Sequence, residues 1–357
     1  MQPTLSYPST KIYIDQDLLQ KKFLKDFLQI GKRKGVIIAD QAIKELYGDP
    51  LAKLLEVDLL TVPGGEDAKN YETKLLIEQK LFEGGYSRDT AIIALGGGAT
   101  TDVAGFIAST YLRGVPFISI PTTLLAMIDA SIGGKTAINT SFGKNLLGTF
   151  YHPEIILIDT RVLSSLPEKQ WMNGLAESLK MGLISDSFLW DLLEKNYSNG
   201  LYFLNDPSLI VRVIEDKMNI VNKDPKEFGI RRILNFGHTI GHGLEALSSY
   251  EMSHGEAVAL GCVVEAFLSK ELRYLQEKDF ERIFSVYASL PLCLPKNYTR
   301  EALLKAFLHD KKRYLEKVRF VLLDRVGHAL PFEGAYCRPV SNEELASTLN
   351  WMEITYG

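Results

Sequence analysis

Cysteine is scarce: Cys262, Cys293 and Cys337 are the only three in 357 residues. They are odd in number, widely spaced and form no CxxC pair, which argues against a thiolate zinc knot, a redox dithiol or a disulfide framework and fits a reducing cytoplasm. An excess of basic charge is missing too. The 40 Lys and Arg against 44 Asp and Glu leave a formal charge of -4, so there is no general electrostatic reason to bind nucleic acid or an acidic membrane. No stretch approaches the ~18 apolar residues of a membrane span. The opening segment MQPTLSYPSTKIYIDQ has no basic stretch followed by an apolar run, so export is not expected either. What the chain does have, 46% hydrophobic and 24% charged residues, suits two or three domains with a large core and excludes disorder.

Up to about residue 160 short β-branched runs alternate with helical stretches, the pattern of a parallel α/β sheet with crossover helices. The strand candidates are Gly35 to Ala39, Asp58 to Val62, Ala91 to Leu95, Phe117 to Ile120 and Ile155 to Ile158, with Asp40 closing the first and a helix around Ala68 to Phe82. They are apolar throughout, as strands covered on both faces are. Beyond Leu166 the texture becomes long amphipathic stretches: Glu168 to Ile184, Pro207 to Val221, Ile233 to Ala246, Gly255 to Leu275 and Arg300 to His309. The expected fold is therefore an α/β N-terminal domain with a Rossmann-like parallel sheet over 1–162 and a mainly α-helical C-terminal domain over 163–357.

The strand Ala91 to Leu95 runs into Gly96-Gly97-Gly98 and a helix start. Glycines let a phosphate approach the backbone, and free N–H groups with the helix dipole favour the anion, so a nucleotide pyrophosphate fits here. A GxGxxG fingerprint would place a third glycine where Thr101 stands, and a tight turn without a ligand accounts for the pattern equally well. Glycines at Gly64-Gly65 and Gly133-Gly134 suggest further loops converging at the strands' C-terminal ends.

Only six histidines exist, and His238, His242 and His254 are three of them. If 231–245 is helical, Arg231, Asn235, His238 and His242 share one face at 4-3-4 spacing. A polar stripe on an apolar helix lies either in solvent or along a site. Asn173, Glu177 and Lys180 make a second stripe. One carboxylate and two histidines form the mixed ligand set of a catalytic zinc site; our choice is Glu177, His238 and His254, with His242 beside them, although His238 and His242 at i,i+4 chelate a metal equally well. Arg113, Lys135, Lys144, Lys180, Lys217 and Arg231 flank these segments. Together they describe a pocket for phosphate and carboxylate; taken singly, each reads as a solvated surface charge.

The combined motifs resemble the 3-dehydroquinate synthase family: PGGEDAK at 63–69, ALGGGATTDVAGFIASTYLRGVPFISIPTTLLAMIDASIGGKTAIN at 94–139, FGKNLLGTFYHP at 142–153, GLAESLKMGLI at 174–184, RRILNFGHTIGHGLE at 231–245, HGEAVALG at 254–261 and HDKK at 309–312. The resemblance implies a cytoplasmic, homodimeric enzyme of the shikimate pathway that uses NAD and one divalent metal, zinc or cobalt. Its substrate would be a phosphorylated sugar acid, 3-deoxy-D-arabino-heptulosonate 7-phosphate. Transient oxidation, phosphate elimination, re-reduction, ring opening and aldol closure would give 3-dehydroquinate, with NAD regenerated.

By the same resemblance Glu177, His238 and His254 are the metal ligands, and His242 takes part in proton transfer. Catalytic roles fall to His242, Lys180, Lys135 and Asn235. Substrate contacts fall to Arg113, Asp129, Lys135, Asn145, Lys180, Lys217, Arg231, Asn235, His242 and Lys311, with Arg113 directed at the phosphate. The cofactor positions are Asp40, Glu66, Lys69, Gly97, Gly98, Asp102, Thr122, Thr123, Lys144 and Ser165. Other sugar phosphate cyclases, glycerol dehydrogenase-like metal enzymes and a non-catalytic nucleotide sensor are the competing assignments.

Overall fold

The structure, a computed structural model, describes residues 2–7, 9–197, 200–249, 251–310 and 318–357. The chain divides into two compact units, one of Met1–Gln170 with Asn205–Glu215 and one of Trp171–Leu204 with Asp216–Gly357. The change of texture near Thr160 to Ser165 lies inside the first, and 205–215 returns to it.

The first unit is built on strands β1 (Leu5–Tyr7), β2 (Thr10–Asp15), β3 (Gly35–Asp40), β4 (Asp58–Val62), β5 (Ala91–Gly96), β6 (Phe117–Pro121), β7 (Lys135–Thr140), β8 (Gly143–Phe150) and β9 (Ile155–Asp159). Seven of them form one sheet in the order β1-β2-β9-β6-β5-β3-β4, parallel except for β1. The helices are α1 (Leu24–Phe27), α2 (Asp49–Leu55), α3 (Tyr71–Glu83) and α4 (Gly98–Thr110). Val36, Ile38, Ile92 and Ala94 point to the face that packs on Ile77 and Leu81 of α3 and Val103 and Ile107 of α4. Ile37 and Ile93, pointing the other way, are equally buried. Burial on both faces is why these strands carry no polar alternation.

The five expected strands all form. The other four strands of the first unit are not among the sequence candidates. β1 and β2 mix Ser6, Lys11 and Asp15 with their apolar residues, and β7 and β8 form a separate antiparallel hairpin. From β3 the chain crosses to β4 on one side, whereas β5 leads to β6 on the other. The C-terminal ends of β3 and β5 are therefore a topological switch point, the place where open α/β sheets bind ligands.

The second unit is helical: α5 (Glu168–Ser185), α6 (Ser187–Asn196), α7 (Pro207–Lys223), α8 (His238–Leu247), α9 (His254–Glu271), α10 (Glu277–Tyr287), α11 (Arg300–Asp310) and α12 (Asn342–Tyr356), with the first residues of α5 and α7 counted in the first unit. A capping box between Ser253 and Glu256 sets the start of α9 at His254. That helix is buried on nearly all sides from Gly255 to Ser269. The continuous helix expected through Ile233 to Ala246 is broken. Ile230–Asn235 is a 3-10 stretch, Phe236 is extended, and Gly237 takes φ 78° before α8 begins. Arg231 and Asn235 therefore do not continue the face that carries His238 and His242.

Candidate functional site

The break at Gly237 positions the histidines. A side chain there would stand 2.5 Å from Cys262 Sγ, and one at Gly261 would stand 1.9 Å from the Gly237 carbonyl. Only glycine lets the start of α8 lie against α9. Asn173 Oδ1 of α5 accepts a hydrogen bond from Gly255 N at 2.8 Å, tying the first turn of α9 to α5. Glu177 of α5, His238 of α8 and His254 of α9 thereby converge, their ligand atoms all within 4.8 Å of one another. His254 Nε2 lies 3.2 Å and His238 Nε2 3.5 Å from Glu177 Oε1.

Each ring is held from behind. His238 Nδ1 lies 3.1 Å from the Phe236 carbonyl, and His254 Nδ1 lies 3.6 Å from Glu245 Oε2. Both Nε2 atoms consequently face Glu177, the arrangement by which outer groups fix the tautomer of a metal-ligating histidine. Two imidazole nitrogens and a buried carboxylate suit a zinc-type divalent cation with open positions for substrate. His242, exposed, sets its ring edge-on to His238 at 5.2 Å between centroids.

The charges are strongly coupled. Glu177 and Lys180 are 1% and 2% exposed and form an ion pair. Burial opposes ionisation of Glu177, yet the Lys180 ammonium and the two histidines hold its carboxyl well below the usual range. Burial, reinforced by Lys180, pushes His238 well below its ordinary value, so it is neutral. Burial opposes protonation of His254 as well, but the carboxylates of Glu177 and Glu245 outweigh it and raise its pKa to about 10.

Lys217 and Arg231 are also buried, contrary to the surface habit of these residue types. Arg231 donates from Nη1 to the Pro225 carbonyl at 2.7 Å, and its backbone N–H donates to Asp224 Oδ2 at 3.1 Å. Asn235 Nδ2 donates to Glu227 Oε1 at 2.6 Å. Both are held against the 224–229 loop. Lys311 lies outside the described residues.

In the first unit, the turn after β5 bears no side chain: Gly97, the N-cap of α4, has none to cap that helix. Side chains at Gly97 and Gly98 would press on Thr123 at 3.2 Å and Ala130 at 3.0 Å. The first amides of α4 are left for an anion, which fits a nucleotide pyrophosphate. Thr122 N donates to the Gly96 carbonyl at 2.9 Å, setting Thr122 and Thr123 beside this turn. Asp40 ends β3 and accepts from Ala42 N at 2.8 Å, with Gly64 against its carboxylate.

Lys69, only 3% exposed, donates to Asp102 and to Asn145, each at 2.5 Å. Asn139 joins the rest: it donates to Glu66 at 2.7 Å and accepts from Asn145 N at 3.0 Å. Asn145, assigned to substrate by resemblance, thus belongs to the same network as the cofactor positions Glu66, Lys69 and Asp102. Lys144 is half-buried on β8, Asp129 half-buried beyond β6, and Lys135 exposed at the start of β7. Ser165 pairs with the Tyr47 hydroxyl at 2.8 Å. Arg113 is exposed at φ 67° beside Gly114.

Glu245 and Asn139 escaped the sequence-based selection. Each closes a quoted motif, but nothing in spacing marks a residue that acts by holding another.

The model of the 3-dehydroquinate synthase N-terminal region matches residues 59–173, and that of the C-terminal region matches residues 174–313. The 3-dehydroquinate synthase of Thermodesulfovibrio yellowstonii is 41% identical over 356 residues, covering 96% of this chain and 97% of the relative. Among solved structures, 2-epi-5-epi-valiolone synthase from Streptomyces hygroscopicus subsp. jinggangensis, with NAD+ and Zn2+ bound, superposes with a TM-score of 0.85 at 28% identity over 99% of both chains. A 2-deoxy-scyllo-inosose synthase complexed with carbaglucose-6-phosphate, NAD+ and Co2+ gives 0.84 at 26% identity over 95% of this chain and 96% of that one. Matched through both halves and over nearly the whole length of a named relative, the chain belongs to the 3-dehydroquinate synthase family.

Proposed function

We propose that this protein converts 3-deoxy-D-arabino-heptulosonate 7-phosphate to 3-dehydroquinate and phosphate, as a carbon–oxygen lyase of aromatic biosynthesis acting as a cytoplasmic homodimer. The observation that carries the proposal is the cluster of Glu177, His238 and His254 in a chain 41% identical to a named synthase over nearly its full length. These three residues would hold a zinc or cobalt ion, which supplies Lewis acidity toward the substrate hydroxyls. Asp40, Glu66, Lys69, Gly97, Gly98, Asp102, Thr122, Thr123, Lys144 and Ser165 would hold NAD, which would supply a reversible hydride acceptor.

The chain's own residues do the rest. Lys180, buried against Glu177, places a fixed positive charge where the substrate alcohol loses its proton, and a low dielectric strengthens that effect. His242, exposed beside His238, carries protons to and from bound substrate, since a neutral imidazole has one ring nitrogen that donates and one that accepts. Arg231 and Lys217 bind the anionic groups of the substrate, and a guanidinium held against a loop loses little freedom in a bidentate bond. Asp129, Lys135, Asn145, Asn235 and Lys311 complete the substrate contacts, and Arg113 takes the phosphate.

The test is phosphate release from heptulosonate phosphate by the purified protein with NAD and zinc. The expected result is 3-dehydroquinate and phosphate in equal amounts, no accumulating NADH, and no turnover in excess chelator. Release from a hexose or sedoheptulose phosphate but not from heptulosonate phosphate would overturn the proposal in favour of another sugar phosphate cyclase.

A further inference from the structure

The structure assigns to Glu265 a positioning role for the metal ligand His238, an inference that rests on the metal centre proposed above. Glu265 lies in the middle of α9 and is 0% exposed. One of its carboxylate oxygens accepts from Gly237 N at 2.8 Å and the other from Ile240 N at 3.3 Å. These amides belong to the N-cap and third residues of α8, and His238 is the first residue of that helix. A helix normally has such amides satisfied by the side chain of its own N-cap residue and by an acidic side chain in its first turn.

Here neither is available. Gly237 has no side chain, and the 2.5 Å approach to Cys262 Sγ forbids one; the first turn of α8 contains no acidic residue. A carboxylate from the neighbouring helix does both jobs, and its charge complements the positive end of the α8 dipole.

The consequence reaches His238 through the backbone. Its Nδ1 is held by the carbonyl of Phe236, the residue before Gly237, so the peptide that Glu265 anchors is continuous with the group that sets the ring. Without the carboxylate the Gly237 amide loses its anchor, and the distance from His238 Nε2 to Glu177 is less tightly fixed. Glu265 lies outside the ligand cluster of Glu177, His238 and His254. Its effect is on the precision of the ligand set, and it appears in the metal's affinity and ligand field.

The experiment compares the full chain with Glu265→Gln, which keeps the volume and one accepting oxygen, and Glu265→Asp, which keeps the charge but withdraws it by one methylene. Metal-stripped protein is titrated with Co(II), followed by its visible absorption, with NAD binding and thermal melting measured on the same samples. Loss of an outer-shell partner typically weakens a metal site about 10- to 100-fold. The expected result is weakening of that order in Glu265→Asp, a smaller loss in Glu265→Gln, altered Co(II) bands in both, and unchanged NAD affinity. Variants that melt earlier yet bind Co(II) with the affinity and spectrum of the unmodified chain would reduce Glu265 to a structural residue and overturn the inference. Failure of the unmodified chain to bind Co(II) would instead remove the metal centre itself, and the inference with it.

Discussion

The residues proposed for the dinucleotide are spread over turns, strand ends and the start of α4, and three of their charged members are already engaged: Lys69 with Asp102 and Asn145, and Glu66 with Asn139. The metal cluster of the helical unit is built from Glu177 and Lys180, both nearly inaccessible, and from two half-buried histidines whose outer nitrogens are already engaged. The first arrangement combines the bare glycine turn at Gly97 and Gly98 with mostly neutral partners around one ion pair. The second concentrates charge where water cannot screen it, so each member depends on every other. Removal of a single group is therefore expected to cost far more in the second unit than in the first.

The largest effect expected is from Glu177→Gln. It removes a ligand and leaves Lys180 buried without its carboxylate, and the loss of several kcal/mol of Lewis-acid stabilisation corresponds to a turnover drop on the order of 10³-fold, read by phosphate release. Glu245→Gln leaves all three ligands in place but loosens His254, and is expected to weaken metal affinity about 10- to 100-fold in chelator competition. Gly261→Ala tests the close approach that brings α8 to α9. Its methyl group has no room beside the Gly237 carbonyl, and overpacking of this kind costs about 1–3 kcal/mol, measured by denaturant unfolding. Lys69→Met, on the dinucleotide side, should raise the NAD dissociation constant about tenfold, the worth of a single hydrogen bond to a charged group at the low end of its range. A loss as large as that of Glu177→Gln would erase the contrast between the units.

The smallest effect is a proton count. With its pKa raised to about 10, His254 is protonated in the metal-free protein at pH 7.5, whereas a ligating imidazole must be neutral. Metal uptake at that pH should release about one proton, detectable as buffer-dependent heat, and affinity should fall as pH is lowered. The same shift bears on stability without metal. The folded value lies above the ordinary 6.5, so the contribution is full below that value and is lost as pH rises through about 10.

Much of this was legible in the residues. The apolar runs at Ala91 to Leu95 and Gly35 to Ala39 mark buried parallel strands because both faces are covered. The Asn173, Glu177 and Lys180 spacing marks one face of a helix that indeed forms. What escaped depends on contacts between distant segments. The glycine at 237 ends one helical stretch and starts another because Cys262 occupies the space a side chain would need, and no local propensity records that. Glu245 and Glu265 look like ordinary helical acids until α8 and α9 are packed together. Likewise β8 exposes Leu146 and Phe150, so its pattern resembles a loop more than a core strand.

The most direct test of the account is to strip the protein of metal, restore zinc stepwise, and follow phosphate release from heptulosonate phosphate alongside bound zinc. Activity is predicted to rise linearly with zinc to one ion per chain in the unmodified protein, and Glu177→Gln, His238→Ala and His254→Ala are each predicted to lose bound zinc and on the order of 10³-fold in turnover. Undiminished turnover in the metal-free protein, or in any of these three variants, would contradict it.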